Sequence, residues 1–164
     1  MSGLEKKGYL LEERIVEELA KRGWAITTAE SCTGGLLSGT IVDVPGASDV
    51  LNEAHVTYSN EAKERVLGVS HEVLKTYGAV SSQTAQQMAE GAAHAAHADV
   101  ALSTTGIAGP GGGTVDKPVG MVYIGCYVNG RVTDVECHFT GNRSEIRHSA
   151  VNRALEILWE EMNR

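Results

Sequence analysis

The sequence predicts one α/β domain: a mainly parallel sheet flanked by helices, with an antiparallel hairpin added at one side. Three observations support this expectation. Helical and extended patterns alternate from the N-terminus to about residue 105, which calls for parallel strands joined by right-handed crossovers. Residues 99–105, Asp-Val-Ala-Leu-Ser-Thr-Thr, form an unbroken small-apolar run ending in hydroxyls, the pattern of a strand buried on both faces. Asn129-Gly130 separates two further extended runs and favours a type I′ hairpin turn.

Composition narrows the function. At 164 residues and 42% hydrophobic, the chain is long enough to bury a core and is not of disordered composition. A formal net charge of −7 speaks against nucleic acid as a partner. It still allows a small phosphorylated ligand held by a local positive site. Cys32, Cys126 and Cys137 are odd in number and widely spaced, so no disulfide framework or zinc ribbon is expected. No stretch reads as a membrane span or signal peptide. A cytoplasmic protein without a membrane partner, cofactor or metal is therefore expected, with homo-oligomerisation left open.

Residues Leu4 to Lys21 read as an amphipathic helix with Leu10, Leu11, Ile15, Val16 and Leu19 on its apolar face; Gly23 is the stop. Trp24 to Thr28 reads as the first strand. After a turn, Leu36, Leu37, Ile41 and Val42 resume at helical spacing to about Asp43. Pro45-Gly46-Ala47-Ser48 is a break, after which Ser48 can cap a short turn to Val50. Asn52 to Tyr58 is the second strand. Ser59-Asn60 then caps a helix with Val66 and Leu67 turned inward and Gly68 at its end. Glu72 to Thr76 is a short helix before Gly78. Ser81 or Ser82 caps an Ala-rich helix from Gln83 to about Ala96. Asp99 to Thr105 is the third strand. Thr105 to Thr114 is too glycine-rich for helix or strand and reads as a loop that approaches a ligand closely. Val119 to Val128 and Arg131 to Thr140 form the hairpin. Asn142 can cap a last helix, Arg143 to Met162, with Ile146, Ala150, Ala154, Ile157 and Leu158 as its inner stripe.

Sheets of this kind bind ligands beyond the carboxyl ends of their parallel strands. Three chemistry-bearing segments follow such strands. Glu30-Ser31-Cys32-Thr33-Gly34-Gly35 follows the first, Tyr58 and Lys63 the second, and the glycine loop the third. Free N–H groups at the helix start after Ser31 can hold an anion or oxyanion. The ordinary alternative is a capped helix start, with Ser31 or Thr33 as N-cap. A serine nucleophile needs a base. None of the six histidines falls at a predicted carboxyl end, and His94 and His97 lack companion metal ligands.

Lys63 falls in a first helical turn, where dipole and burial both favour the neutral amine; a solvated lysine paired with Glu64 is the alternative. Cys32 competes with Ser31, since Glu30, Lys63 and Cys32 would resemble the Glu–Lys–Cys set of nitrilase-type amidases. Adjacent side chains diverge, and spacing alone leaves the choice open. The glycine loop is neither a Walker loop nor a dinucleotide fingerprint. Arg143 and Arg147 lie four apart on one helix face and suit a phosphate, or surface ion pairs.

Five ordered blocks are similar to the signature blocks of the CinA C-terminal family. They are Ala29–Gly35, Tyr58–Lys63, Gly78–Ser81, Thr105–Pro110 and Lys117–Gly120. Stand-alone members of that family are nicotinamide-nucleotide amidohydrolases. The resemblance implies a three-layer α/β/α sandwich whose five-stranded mixed sheet has the order 2-1-3-4-5 with strand 4 antiparallel. It implies Ser31 as nucleophile, Lys63 as base, and Tyr58 as a neighbour that binds substrate or tunes the lysine. Glu30, Cys32, Thr33, Gly34, Gly35, Thr105 and Gly106 would surround a pyridine mononucleotide, and Arg147 more than Arg143 would meet its phosphate. Larger members carry an additional N-terminal nucleotide pyrophosphatase domain, an activity not expected of these residues. Asp116, Met121 and Asn142 depart from the family's commoner residues, which leaves fine substrate contacts open. The alternatives are a non-catalytic nucleotide-sensing module of the same fold, and an amidase for a related amide.

Overall fold

The computed structural model describes residues 9–164. Five strands form one sheet in the order β2-β1-β3-β4-β5. They are β1 (Ile26–Glu30), β2 (His55–Val56), β3 (Val100–Gly106), β4 (Met121–Val128) and β5 (Arg131–His138). β1 is parallel to β2 and β3, while β4 is antiparallel to both its neighbours, as the resemblance implies. The helices are α1 (Leu11–Arg22), α2 (Leu36–Val42), α3 (Asn60–Leu67), α4 (His71–Tyr77), α5 (Ser82–Ala96) and α6 (Arg143–Met162).

The strand faces sort the helices into two outer layers. Ile26, Leu102 and Ile124 pack with Ile15 and Leu19 of α1, Leu37 and Ile41 of α2, and Leu155 and Leu158 of α6. Ala29 and Ala101 face the other way, onto Leu67 of α3, Leu74 of α4, and Met88 and Ala92 of α5. Alternate residues of one strand point to opposite faces, so β1 and β3 are covered on both sides. All of β1, and β3 up to Thr105, is buried. This is why the Asp99–Thr105 run lacks a polar alternation.

Several boundaries move, each for a physical reason. β1 begins and ends two residues later than Trp24–Thr28, because its pairing with β3 runs on to Glu30 opposite Thr104. β2 shrinks from seven expected residues to His55 and Val56. Residues 4–8 of the first expected helix lie outside the described residues, and Leu10, expected on its apolar face, is exposed. In α3 the inward residues are Lys63 and Leu67, whereas Val66 is exposed; positions 63 and 67 lie four apart on one helix face, and Val66 lies off it. The short turn at Ala47–Asp49 follows Gly46 at its cap position, not Ser48. Asn129 and Gly130 both have positive φ, 46° and 92°, the backbone of a type I′ turn. The three cysteines are buried and free. Among the described residues no helix is long and apolar enough to cross a membrane.

Candidate active site

The turn after β1 is held from below by a carboxylate. Glu30 is fully buried. It accepts hydrogen bonds from the Leu37 N–H at 2.8 Å, the Ser38 N–H at 3.0 Å, the Gly35 N–H at 3.2 Å and the Thr33 hydroxyl at 2.6 Å. The Thr33 hydroxyl is also 2.6 Å from that of Thr104 on β3. The first N–H groups of α2 are therefore satisfied by a residue of the preceding strand. This corrects two expectations. Those N–H groups are not free for a ligand, and neither Ser31 nor Thr33 is the cap; Gly35 occupies the cap position, at φ +104°. Among the described residues no hydrogen bond or ion pair joins Glu30 to Lys63, so the Glu–Lys–Cys arrangement is not assembled.

Above the turn, two distant residues meet. Lys63 is the fourth residue of α3, a helix capped by the Ser59 hydroxyl, which accepts from the Ala62 N–H at 3.1 Å. Its side chain is 1% exposed. Nζ lies 3.0 Å from Ser31 Oγ and donates to the Thr57 carbonyl at 2.7 Å. Burial is the main cause that brings the amine down from 10.5 to about 8, because removal from water disfavours the charged form. The neighbouring Cys32 thiol is buried too, and burial pushes it up to about 11. Among the described residues no hydrogen bond joins that thiol to Lys63. The geometry thus separates two groups that spacing could not.

A cavity of about 280 Å³ opens beside this pair. Ser31, Cys32, Tyr58, Arg143 and loop residues between Gly106 and Gly112 line it. Each of the first three parallel strands thus contributes the segment at its carboxyl end. Tyr58 is 63% exposed, and its hydroxyl accepts from Arg143 Nη2 at 3.1 Å. Arg143 Nη1 donates to the Gly109 carbonyl at 2.7 Å, which ties the first turn of α6 to the glycine loop. Gly106 is needed where that loop leaves β3, since a Cβ there would stand 2.6 Å from the Met121 carbonyl oxygen. Three larger clefts, about 360, 440 and 520 Å³, contain neither Ser31 nor Lys63.

Other sequence-selected residues sit away from the cavity lining. Thr33 is fully buried, and Gly34 and Gly35 belong to the turn beneath it. Thr105 turns its hydroxyl to the Ala79 carbonyl at 2.7 Å. Arg147 reaches back to the turn, donating through Nε to the Cys32 carbonyl at 3.0 Å and through Nη2 to the Thr33 carbonyl at 2.9 Å. Its placement reverses the expected order of the two arginines, because Arg143 lines the cavity and Arg147 does not. Sequence reasoning missed Thr57, whose contribution is a backbone carbonyl that no side-chain pattern reveals. Among the described residues no three His, Cys, Asp or Glu side chains cluster as a metal site.

Fold and site together define a class: an α/β domain that presents a serine hydroxyl to a buried lysine at the carboxyl ends of its parallel strands. The family model described as the CinA C-terminal domain matches residues 9–162, and the chain belongs to that family. A Clostridium botulinum (strain Kyoto / Type A2) protein bearing the name competence-damage inducible protein is 52% identical over 149 residues, 91% of this chain and 36% of that protein. One of the same name from Alkaliphilus metalliredigens is 50% identical over 152 residues, 93% of this chain and 37% of its own length. The chain thus spans little more than a third of the curated relatives it matches. The crystal structure of competence/damage inducible protein CihA from Agrobacterium tumefaciens superposes with a TM-score of 0.90 at 45% identity, covering 94% of each chain. That of competence damage-inducible protein A (ComA) from Klebsiella pneumoniae gives 0.91 at 35% identity, covering 94% of this chain and 96% of that one.

The buried cap yields a stability prediction. Glu30→Ala leaves the N–H groups of Leu37 and Ser38 without their acceptor and should destabilise the fold by roughly 3 kcal/mol or more. Glu30→Gln, which keeps one carbonyl acceptor, should cost less. Urea unfolding followed by circular dichroism measures both; equal stability of Glu30→Ala and the parent would show that the cap contributes nothing.

Proposed function

We propose that this chain is an amidase that hydrolyses the carboxamide of nicotinamide mononucleotide to nicotinate mononucleotide and ammonia. The observation that carries the reading is the 3.0 Å approach of Lys63 Nζ to Ser31 Oγ at the wall of a cavity. In its free-base form the amine donates one N–H to the Thr57 carbonyl and offers its lone pair to the Ser31 hydroxyl. Ser31 Oγ attacks the amide carbon while Lys63 takes the hydroxyl proton. The C–N bond then breaks, Lys63 protonates the departing nitrogen, and ammonia leaves. Water attacks the acyl-serine ester, with Lys63 again as base, and releases the acid.

The rest of the cavity suits the remainder of the substrate. Arg143, at the lining between Tyr58 and the glycine loop, is placed to give forked hydrogen bonds to a phosphate. The Tyr58 ring offers an apolar face for the pyridine. The resemblance of the sequence blocks supports the substrate class, and the family membership is consistent with it. The proposal concerns these 164 residues and not the longer relatives.

Ammonia release tests it directly. Ser31→Ala should be inactive, whereas Cys32→Ala should keep most of the activity; the reverse pattern would transfer the nucleophile to the thiol. Lys63→Ala should lose nearly all turnover and Lys63→Arg should not restore it, because a guanidinium stays protonated. The rate should also depend on pH in a stated direction. Below the lysine value of about 8 the ammonium form dominates, so kcat/KM should rise roughly tenfold per pH unit and level off above it. A profile flat between pH 6 and 9 would rule out Lys63 as the base. Arg143→Gln should raise KM for the mononucleotide by roughly tenfold or more while leaving the weaker dephosphorylated substrate little changed. Equal effects on both substrates would remove the phosphate contact.

A further inference from the structure

Arg147 was selected as a phosphate ligand, yet its guanidinium points at the nucleophile turn. There it meets two successive carbonyls, those of Cys32 and Thr33. The peptide that carries the Thr33 carbonyl also carries the Gly34 N–H. That N–H donates to the Ser31 carbonyl at 3.1 Å. The Ser31 carbonyl in turn belongs to the peptide that carries the Cys32 N–H. Among the described residues no oxygen accepts from the Cys32 N–H, whose contact is with its own residue's sulfur, so an oxyanion can take it, and Cys32 lines the cavity beside Ser31. A chain of donors and acceptors therefore runs from a fixed positive charge to the N–H of the residue next to the attacking oxygen.

We infer that Arg147 is a positioning residue for the oxyanion: through two consecutive peptide groups it orients and polarises the Cys32 N–H, the donor for the tetrahedral intermediate. This inference rests on the amidase reading above and deepens it. Hydrogen bonds in series polarise one another, more so in a low-dielectric interior. A cation on the Thr33 carbonyl strengthens the Gly34 N–H as a donor. That bond draws electron density through the Ser31 carbonyl and strengthens the Cys32 N–H. Preorganised donors of this kind act on charge that develops only in the transition state.

The local sequence is shaped around the contact. Gly34 has φ +56°, and a Cβ there would lie 3.3 Å from Arg147 Nη2. Glycine thus serves both the turn's backbone and the room the guanidinium occupies. Glu30 holds the N–H groups on the other side of the same turn, at Gly35, Leu37 and Ser38. The turn's peptides lie between a cation on their carbonyls and an anion on their N–H groups.

The test separates transition-state from ground-state effects in the full chain. Arg147→Gln and Arg147→Lys are compared with the parent for kcat and KM with nicotinamide mononucleotide. Binding is compared for two probes: nicotinate mononucleotide, a ground-state ligand, and the mononucleotide of pyridine-3-carboxaldehyde. The aldehyde adds the Ser31 hydroxyl to form a hemiacetal, whose oxygen takes the oxyanion position. Arg147→Gln should lower kcat by roughly 10- to 100-fold, less than outright loss of an oxyanion donor. KM and product affinity should stay within about threefold, while aldehyde affinity falls in step with kcat. Arg147→Lys, which keeps a charge that reaches one carbonyl, should fall between.

A rise in KM and loss of product affinity, with kcat and aldehyde affinity preserved, would overturn the inference and return Arg147 to ground-state binding. Equal loss of both probes would also overturn it, as the mark of a merely structural role. If Arg147→Gln does not fold, the kcat and aldehyde-to-product affinity ratio of Arg147→Lys decides alone: a fall in both supports the inference and parental values refute it. Failure of the amidase reading looks different, since the parent itself would then release no ammonia.

Discussion

A primary amine enclosed by protein, within reach of one hydroxyl and one carbonyl, is the constraint around which this domain is built. Burying an ammonium is unfavourable unless its hydrogens are well paired. Lys63 has two oxygen neighbours, Ser31 Oγ and the Thr57 carbonyl, an environment matched to a neutral amine with one N–H donated and one lone pair offered. Its position depends on elements far apart in the chain. β1 delivers Ser31, the segment after β2 delivers the Thr57 carbonyl, and the Ser59-capped start of α3 delivers the lysine stem. The Thr57 N–H donates to the Glu30 carbonyl at 2.9 Å. The same pairing that continues the sheet past β2 thus fixes the acceptor that orients the base.

The buried charge of Glu30 belongs to the same construction. A carboxylate removed from water is tolerated only when several donors surround it. Three backbone N–H groups and the Thr33 hydroxyl meet that requirement. In return the turn is fixed at the point where a small displacement of Ser31 would misalign it with Lys63. α2 is only seven residues long, too short to be held by its own propensity. Its placement comes from this cap and from Leu37 and Ile41 in the core. Rigidity at the nucleophile is therefore built from a polar network below and apolar packing beside it.

The sequence was most legible where burial follows a period. The stripe of α6, the apolar centre of β3 and the Asn129-Gly130 hairpin all follow from side-chain spacing and turn chemistry, and each lies where expected. The convergence of Ser31, Tyr58 and the glycine loop followed from topology, because strand ends share an edge. What escaped was whatever depended on the target of a polar side chain. Glu30 caps N–H groups five to eight residues ahead, outside the local spacing that marks ordinary caps. The apolar residues of α3 alone do not mark its inner face, because Lys63 and Leu67 face inward and Val66 does not. Ser31 and Cys32 were indistinguishable until the position of the amine was known.

The two arginines of α6 show where periodicity stops being informative. Residues four apart share a face, so Arg143 and Arg147 looked interchangeable for an anion. Their surroundings divide them. Arg147 is one turn further along the helix, level with the carbonyls of the nucleophile turn, and two of its donors are used there. Arg143 opens the helix and lies at the cavity wall with much of its guanidinium turned to the Tyr58 hydroxyl and the Gly109 carbonyl. Among the described residues no carboxylate forms an ion pair with Arg143. The overall charge of −7 therefore does not set the potential at the cavity, where Arg143 is the cation among the described lining residues. A single exposed guanidinium at the cavity wall offers one anion contact, where nucleic-acid binding draws on many cations.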